Sequence, residues 1–267
     1  MESGETPSQQ FTAEVDILKV DFMKGSIETV KDEVAVERKL ELYINGKIYA
    51  VFSISPLQIR ELIIGHLLTE GVIESLDEIE SLDAFGGRAH VHLKKTRIDS
   101  PVKPRLIFAA CGGAESLQRP LGKPRRVEEP LGLKLDSQVI FRAVEVLNSR
   151  ASTFRRTGGT HASTLLDRDG RVLAFSEDVG RHNAVDKVVG RAFMDGVNLK
   201  ETLLASTGRL TSEIVLKAAQ VGIPVVTSIS APTDRGVNAA KETGLTLIGF
   251  VRGRKFNVYT YPERLMI

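Results

Sequence analysis

The chain reads as an α/β protein of two domains, a smaller N-terminal α+β unit followed by a C-terminal mixed sheet covered by helices. Three observations lead there. In the second half, short apolar runs of strand length alternate with longer runs of helical spacing. In the first half, a strand-like stretch carries Asn45-Gly46 at its centre and is followed by one helical run. Between the halves, 94–105 and 119–130 turn basic and proline-containing, as an extended connector does. The domain change is therefore placed near Leu131, with domains at 14–130 and 131–267.

Residues 1–13 are polar and read as a frayed end. Strands are expected at 27–36 and 40–52, the second turning at Asn45-Gly46. Ser55-Pro56 opens a helix through Leu68, with Leu57, Leu62, Ile63, Leu67 and Leu68 as its apolar positions and Gly71 beyond its end. A short segment, 72–82, leads to Gly86-Gly87, and 89–94 alternates as a strand. A helix at 135–149, capped by Asp136 or Ser137, precedes strands at 162–167 and 172–177 joined by Arg168-Asp169-Gly170. Helices at 181–194, 210–221 and 234–243 then alternate with strands at 203–206, 224–229 and 245–251, and 256–261 adds a final strand. This order, a hairpin followed by crossover units, resembles the cytidine-deaminase-like fold.

With 42% hydrophobic and 26% charged residues, the 267-residue chain has an ordinary globular composition. A net charge of +2 gives no global nucleic-acid signal, and no nucleic-acid partner is expected. The single cysteine, Cys111, excludes an intrachain disulfide framework and a cysteine-rich metal site, and it suits a reducing compartment. No cationic, apolar leader is visible, and no apolar run approaches the roughly 20 residues that cross a bilayer. The expected location is the cytoplasm, with no membrane partner.

Polar residues gather where strands begin and end. Arg155-Arg156-Thr157-Gly158-Gly159-Thr160-His161 precedes a strand and combines anion-binding forks, close-approach glycines and a proton-transfer group. The plain alternative is a tight basic turn with a structural histidine. The densest run is Glu177-Asp178-Val179-Gly180-Arg181-His182-Asn183-Ala184-Val185-Asp186-Lys187, at a strand-to-helix junction where free amides face anions. Within it His182 and Asp186 are spaced to pair along one helical face, with Lys187 four residues after Asn183; a capping network is the structural alternative. Gly208-Arg209 and Ser230-Ala231-Pro232-Thr233 follow two further strands, where caps and ligand contacts are both open readings. Four such exits describe the floor of a pocket for a polar, phosphorylated ligand, such as a nucleotide.

Some chemistries lack their residues. There is no Gly-x-x-x-x-Gly-Lys-Ser/Thr loop and no Gly-x-Ser-x-Gly elbow. Zinc deamination needs thiols at the two helix starts that here read Arg181-His182 and Gly208-Arg209, so no metal site is expected. Cys111 ends the apolar run Ile107-Phe-Ala-Ala and is followed by Gly112-Gly113, a strand running into a pliable turn. A small buried hydrophobe and a nucleophile are both consistent with that context, and His90, His92, His161 or His182 could approach it.

Taken together, Asn45-Gly46, Ser55-Pro56, Gly65-His66-Leu67-Leu68-Thr69-Glu70-Gly71, Cys111-Gly112-Gly113, Thr157-Gly158-Gly159-Thr160-His161-Ala162, the Glu177–Lys187 run, Gly208-Arg209 and Ser230-Ala231-Pro232-Thr233 resemble the formate dehydrogenase accessory sulfurtransferase family over nearly the whole chain. The resemblance implies a homodimer that takes persulfide sulfur from a cysteine desulfurase. It implies delivery of that sulfur to molybdenum bis(molybdopterin guanine dinucleotide), bound transiently through its guanine-nucleotide ends, for formate dehydrogenase; no permanently bound cofactor is implied. Cys111 is the implied sulfur carrier. Contacts to the cofactor are implied at Arg156, Thr157, Gly158, Gly159, His161, Asp178, Gly180, Arg181, His182, Asn183, Lys187, Gly208, Arg209, Ser230, Pro232 and Thr233. One departure stands out. Where the family often carries a second cysteine, Cys-Gly-x-Cys-Gly, this chain has Ala114, so no neighbouring thiol resolves a persulfide on Cys111. A cofactor-binding maturation chaperone without sulfur transfer is the competing class, and a nucleotide hydrolase on the same scaffold a third.

Overall fold

A computed structural model of the protein describes residues 11–95, 105–107, 125–127 and 134–266. The expected change of domain at Leu131 and the sulfur-carrier position Cys111 lie outside the described residues. The chain opens with an antiparallel ribbon of β1 (Thr12–Asp21) and β2 (Ser26–Ala35). A five-stranded sheet follows: β3 (Arg38–Ile44), β4 (Lys47–Ile54), β5 (Ile79–Phe85), β6 (Arg88–Leu93) and β7 (Arg105–Ile107), in the order β5-β6-β3-β4-β7. Its one α-helix, α1 (Ile59–Thr69), connects β4 to the β5–β6 hairpin.

The second half is built from α2 (Ser137–Arg150), α3 (Ser152–Thr157), β9 (His161–Asp167), β10 (Val172–Asp178), α4 (Arg181–Met194), β11 (Thr202–Ser206), α5 (Ser212–Gln220), β12 (Val225–Ser228), α6 (Asp234–Thr243), β13 (Thr246–Arg252) and β14 (Lys255–Thr260). A two-residue pairing of β8 (Leu135–Asp136) with β15 (Leu265–Met266) closes its ends together. The six-stranded sheet runs β10-β9-β11-β12-β13-β14 and is mixed: β11, β12 and β13 are parallel, and the flanking pairs are antiparallel. Crossovers through α5 and α6 make the parallel pairs, which is why this region reads as alternating periods in the sequence.

The two sheets share one core. Leu40, Leu42 and Phe52 of the first sheet cluster with α1, α4, α5 and the inward residues Leu165, Leu204, Val226 and Leu247 of the second. Helices α1 and α4 are sandwiched and buried nearly all round. The outer face of the six-stranded sheet packs on α2 through Ile140, Ala143 and Leu147 against Leu166, Leu203 and Ile248.

Four local expectations are revised. The first strand of the ribbon was not anticipated, because both of its faces are exposed and its apolar residues alternate against no core. Thr12 and Ala13, read as part of a frayed end, already belong to it. The first helix starts at Ile59, not at Ser55, because Ser55 and its backbone are engaged by the other half of the molecule and Gln58 turns the chain at φ 56. The basic Arg155–Thr157 segment is helical and ends at Gly158, whose φ of 66 suits glycine.

Candidate functional site

The Glu177–Lys187 run divides its side chains between two jobs. Asp178 is fully buried and accepts hydrogen bonds from the backbone amides of Ser55 (3.0 Å) and Gly180 (2.8 Å) and from Asn183 Nδ2 (2.8 Å), while Lys187 Nζ lies 2.6 Å away. Lys187 also donates to the Ser55 carbonyl (3.1 Å), and Asn183 to the Ser53 carbonyl (2.7 Å). This knot fastens the end of β4 to the start of α4. Burial lowers the Lys187 ammonium from its ordinary value, and Asp178 offsets part of that. Glu177 is spent on α3, accepting the amides of Thr153 and Phe154 and the Thr160 hydroxyl.

The expected pairing of His182 with Asp186 does not form. Asp186 faces α1 and α5, where its carboxylate meets His66 Nδ1 (3.0 Å), Thr69 Oγ1 (2.8 Å) and Lys217 Nζ (3.0 Å). Burial alone would raise the Asp186 carboxyl, but Lys217 and then His66 outweigh it and hold it below the ordinary 3.8. His182 turns the other way and puts Nε2 2.9 Å from Glu213 of α5. The spacing allowed the pair; the buried Lys217, His66 and Thr69 took the carboxylate instead.

Beside the knot a cluster forms from the exits of β10 and β11 and the head of β9, with Arg181 itself buried. Gly180 caps α4 without a side-chain bond, and Thr211 caps α5 without one, so two neighbouring helix starts point their positive dipole ends here. Arg181 stands at the first of them and packs against Gly208, where a β-carbon would sit 2.9 Å from the Arg181 Cβ. His161, at the head of β9, meets Thr207 Oγ1 at 3.4 Å, and the same hydroxyl accepts the Ala162 amide at 3.0 Å. Partial burial, then Arg181 and His182, lower the His161 imidazole below its ordinary 6.5, with Arg209 adding to the effect and Asp178 opposing it. Exposed Arg209 completes a basic rim.

Under this rim three serines lie side by side on neighbouring strands, Ser163 opposite Ser206 and Ser206 opposite Ser228. Ser206 accepts the Gly208 amide (3.1 Å), and Ser228 donates to the Gly208 carbonyl (2.7 Å) while accepting the Ser230 amide (2.9 Å). They hold the Gly208 loop in place. The hydroxyls of Ser163 and Thr211 are buried and make no hydrogen bond among the described residues. Such groups are costly when left unpaired, and they fit a site that expects a polar ligand. The arrangement of cations, helix starts and idle hydroxyls suits phosphate oxygens.

The other expected contacts are placed differently. Arg156 is exposed and pairs with Glu33 of the ribbon at 2.9 Å, and Gly159 packs against Ala35. Thr157 donates to the Thr153 carbonyl and accepts the Gly159 amide, closing the end of α3 beside Gly158. Thr233 caps α6 through the Gly236 amide (3.1 Å). Ser230 and Pro232 line the adjacent strand exit, where Leu210 bridges to Pro232 and the Ser230 carbonyl accepts the Phe250 amide. Asp178, Asn183 and Lys187 sit in the buried knot beneath the rim.

Thr207 and Glu213 belong to a polar stretch, 205–213, that the sequence marks, with Glu213 read there as a helix cap; in the structure Glu213 meets His182 instead. Sequence reasoning overlooked Ser163, since its neighbours come from other strands.

Strand β7 is the last described strand before Cys111 in the sequence. It pairs in parallel with β4, Ile107 beside Phe52. The chain therefore leaves β7 at the end of the sheet where Ser53 and Ser55 are tied to α4. Four residues of chain span at most about 14 Å, which bounds the reach from Ile107 to Cys111.

A family model described as FdhD/NarQ matches residues 35–266. The chain belongs to the FdhD/NarQ family. Family members similar to it include the sulfur carrier protein FdhD of Methanothermobacter thermautotrophicus, 35% identical over 254 residues that cover 95% of this chain and 98% of that protein. Another is the protein of the same name from Shouchella clausii, 35% identical over 251 residues, covering 91% and 94%. The fold is similar to a crystal structure described as a candidate formate dehydrogenase accessory protein from Desulfotalea psychrophila. That likeness has a TM-score of 0.76 at 25% identity and covers 96% of this chain and 100% of that one. The two-sheet α/β architecture is thus shared with that structure, and the Glu177–Lys187 run that carries the resemblance is where the two halves of this chain are fastened.

Proposed function

We propose that this FdhD/NarQ family member is a sulfur carrier in molybdenum-cofactor maturation for formate dehydrogenase. Cys111 accepts sulfur from the persulfide of a cysteine desulfurase and passes it to molybdenum bis(molybdopterin guanine dinucleotide), its transient cargo. In that delivery the Cys111 S–S bond breaks, Cys111 leaves as thiolate, and a reduced molybdenum centre supplies the two electrons that take the outer sulfur to the sulfide level. In the loading step the Cys111 thiolate attacks the outer sulfur of the donor persulfide. The donor S–S bond breaks, a new one forms on Cys111, and the donor cysteine leaves as thiolate, with no net oxidation. The observation that carries the reading is the convergence of two uncapped helix starts, Arg181, Arg209 and the idle Ser163 and Thr211 hydroxyls on one rim. Those groups hold guanine-nucleotide phosphates, and β7 delivers the chain toward the same side. A cytoplasmic homodimer on a cytidine-deaminase-like C-terminal scaffold, with domains at 14–130 and 131–267, belongs to the same reading; the β9–β10 hairpin followed by parallel β11, β12 and β13 supports the scaffold.

The test is loading with desulfurase and cysteine followed by intact-mass measurement. Wild type gains the mass of sulfur and Cys111→Ala does not, and only wild type restores formate dehydrogenase activity to cells lacking their own accessory protein. Full restoration by Cys111→Ala sinks the carrier role. Ala114, in place of a second thiol, favours one alternative: a chaperone that holds the cofactor without transferring sulfur. That reading requires unchanged maturation by Cys111→Ser.

A further inference from the structure

The β1–β2 ribbon is out of keeping with the rest of the molecule. Its two ten-residue strands pair along their full length, yet no third strand among the described residues joins either edge. Leu18 is 64% exposed, Ile27 67%, and Phe22 and Met23 at the turn 93% and 97%. The register places Leu18, Val20 and Ile27 on one face and Val15 and Val34 on the other. The described contacts of the ribbon with the body lie near its base, the Arg156–Glu33 ion pair and the seat of Ala35 on Gly159. A lone two-stranded ribbon is marginal in water, and long open edges with exposed apolar residues are normally covered.

We propose that the ribbon is an arm that docks on a second copy of this chain. Charge argues for that occupant. Within the ribbon Glu14, Asp16, Asp21, Glu28, Asp32 and Glu33 outnumber Lys19, Lys24 and Lys31, whereas the whole chain is +2, so the body the arm would meet is net basic. Size argues likewise: two ten-residue strands and their turn supply about the 20–30 residues per side of a standard stable interface. A two-fold would use each arm once, burying both apolar tips and closing the assembly. The inference rests on the two-copy part of the proposed function and names its surface.

The experiment is sedimentation velocity of the full chain over a concentration series, at low and high salt. Wild type is expected to form a dimer that weakens as salt rises. Leu18→Ser/Phe22→Ser/Ile27→Ser is expected to weaken it at least tenfold, with the circular dichroism of the body unchanged. Should that variant fail to fold, Asp16→Lys/Glu28→Lys, at two exposed positions, carries the same expectation. A dimer indifferent to both variants overturns the arm while leaving the two-copy reading in place. A wild type that stays monomeric overturns both. Co-sedimentation of that monomer with phosphatidylcholine vesicles would assign the apolar tip to a lipid surface and overturn the arm as well. Sulfur loading of Cys111 enters none of these readouts.

Discussion

Gly65 of α1 and Gly190 of α4 meet backbone to backbone. A β-carbon on Gly65 would lie 1.8 Å from the Asp186 carbonyl oxygen, and one on Gly190 2.0 Å from the Glu61 carbonyl oxygen. Alanine favours an open helix by up to about 1 kcal/mol over glycine. Here the sign reverses, because the obstructing atoms are main chain and cannot rotate away. Gly65→Ala or Gly190→Ala should each destabilise the protein by about 3 kcal/mol or more, read as a lower denaturant midpoint. A neutral or stabilising result would mean that the helices separate without cost.

Lys187 and Asp178 should behave as a coupled pair. Lys187→Met strands a buried carboxylate and should cost about 3–5 kcal/mol. Asp178→Asn/Lys187→Met should cost clearly less than the sum of its parts, since the uncompensated charge is gone. Equilibrium unfolding of the four proteins completes the cycle, and strict additivity would contradict the geometry.

Arg209 is exposed and should matter to ligand alone. Arg209→Ala is expected to weaken GDP binding by about 10- to 100-fold, the worth of a charge-assisted hydrogen bond. Its unfolding midpoint and the sulfur loading of Cys111 should stay as in wild type. Calorimetric titration and intact mass give the two readouts; an unchanged affinity removes Arg209 from the site.

His161 should make binding pH-dependent. Its free-protein value lies below 6.5, so the imidazole is neutral near pH 7. A bound phosphate favours the charged ring, and uptake of ligand then takes up a proton. Affinity should rise as pH falls from 7.5 toward 5.5, with the gain complete only below the free-protein value. The dependence should flatten in His161→Gln, which controls for titration of the phosphate itself. The sign for stability is opposite: a depressed histidine costs stability as pH drops, because the unfolded chain takes the proton first.

Periodicity made much of this fold legible. Asn45-Gly46 marked a real hairpin, and the alternation after 160 marked the strands and helices of the six-stranded sheet. The ribbon was invisible because its alternation serves no core. The chemistry was legible as a dense run but not as a division of labour. Asn183 reaches Ser53 across 130 positions, and nothing local to either residue announces that bond. His182 and Asp186 had the spacing of a pair, and Lys217, fixed only by packing, decided otherwise.

The glycine crossing bears on how sulfur can travel. A contact with no room for a methyl group has no side-chain layer to act as a bearing, so α1 and α4 can neither shear past one another nor part like jaws without tearing main-chain packing. The joint between the two halves is then a fixed frame. On the proposed reading, handover of sulfur would then leave the α1–α4 crossing unchanged.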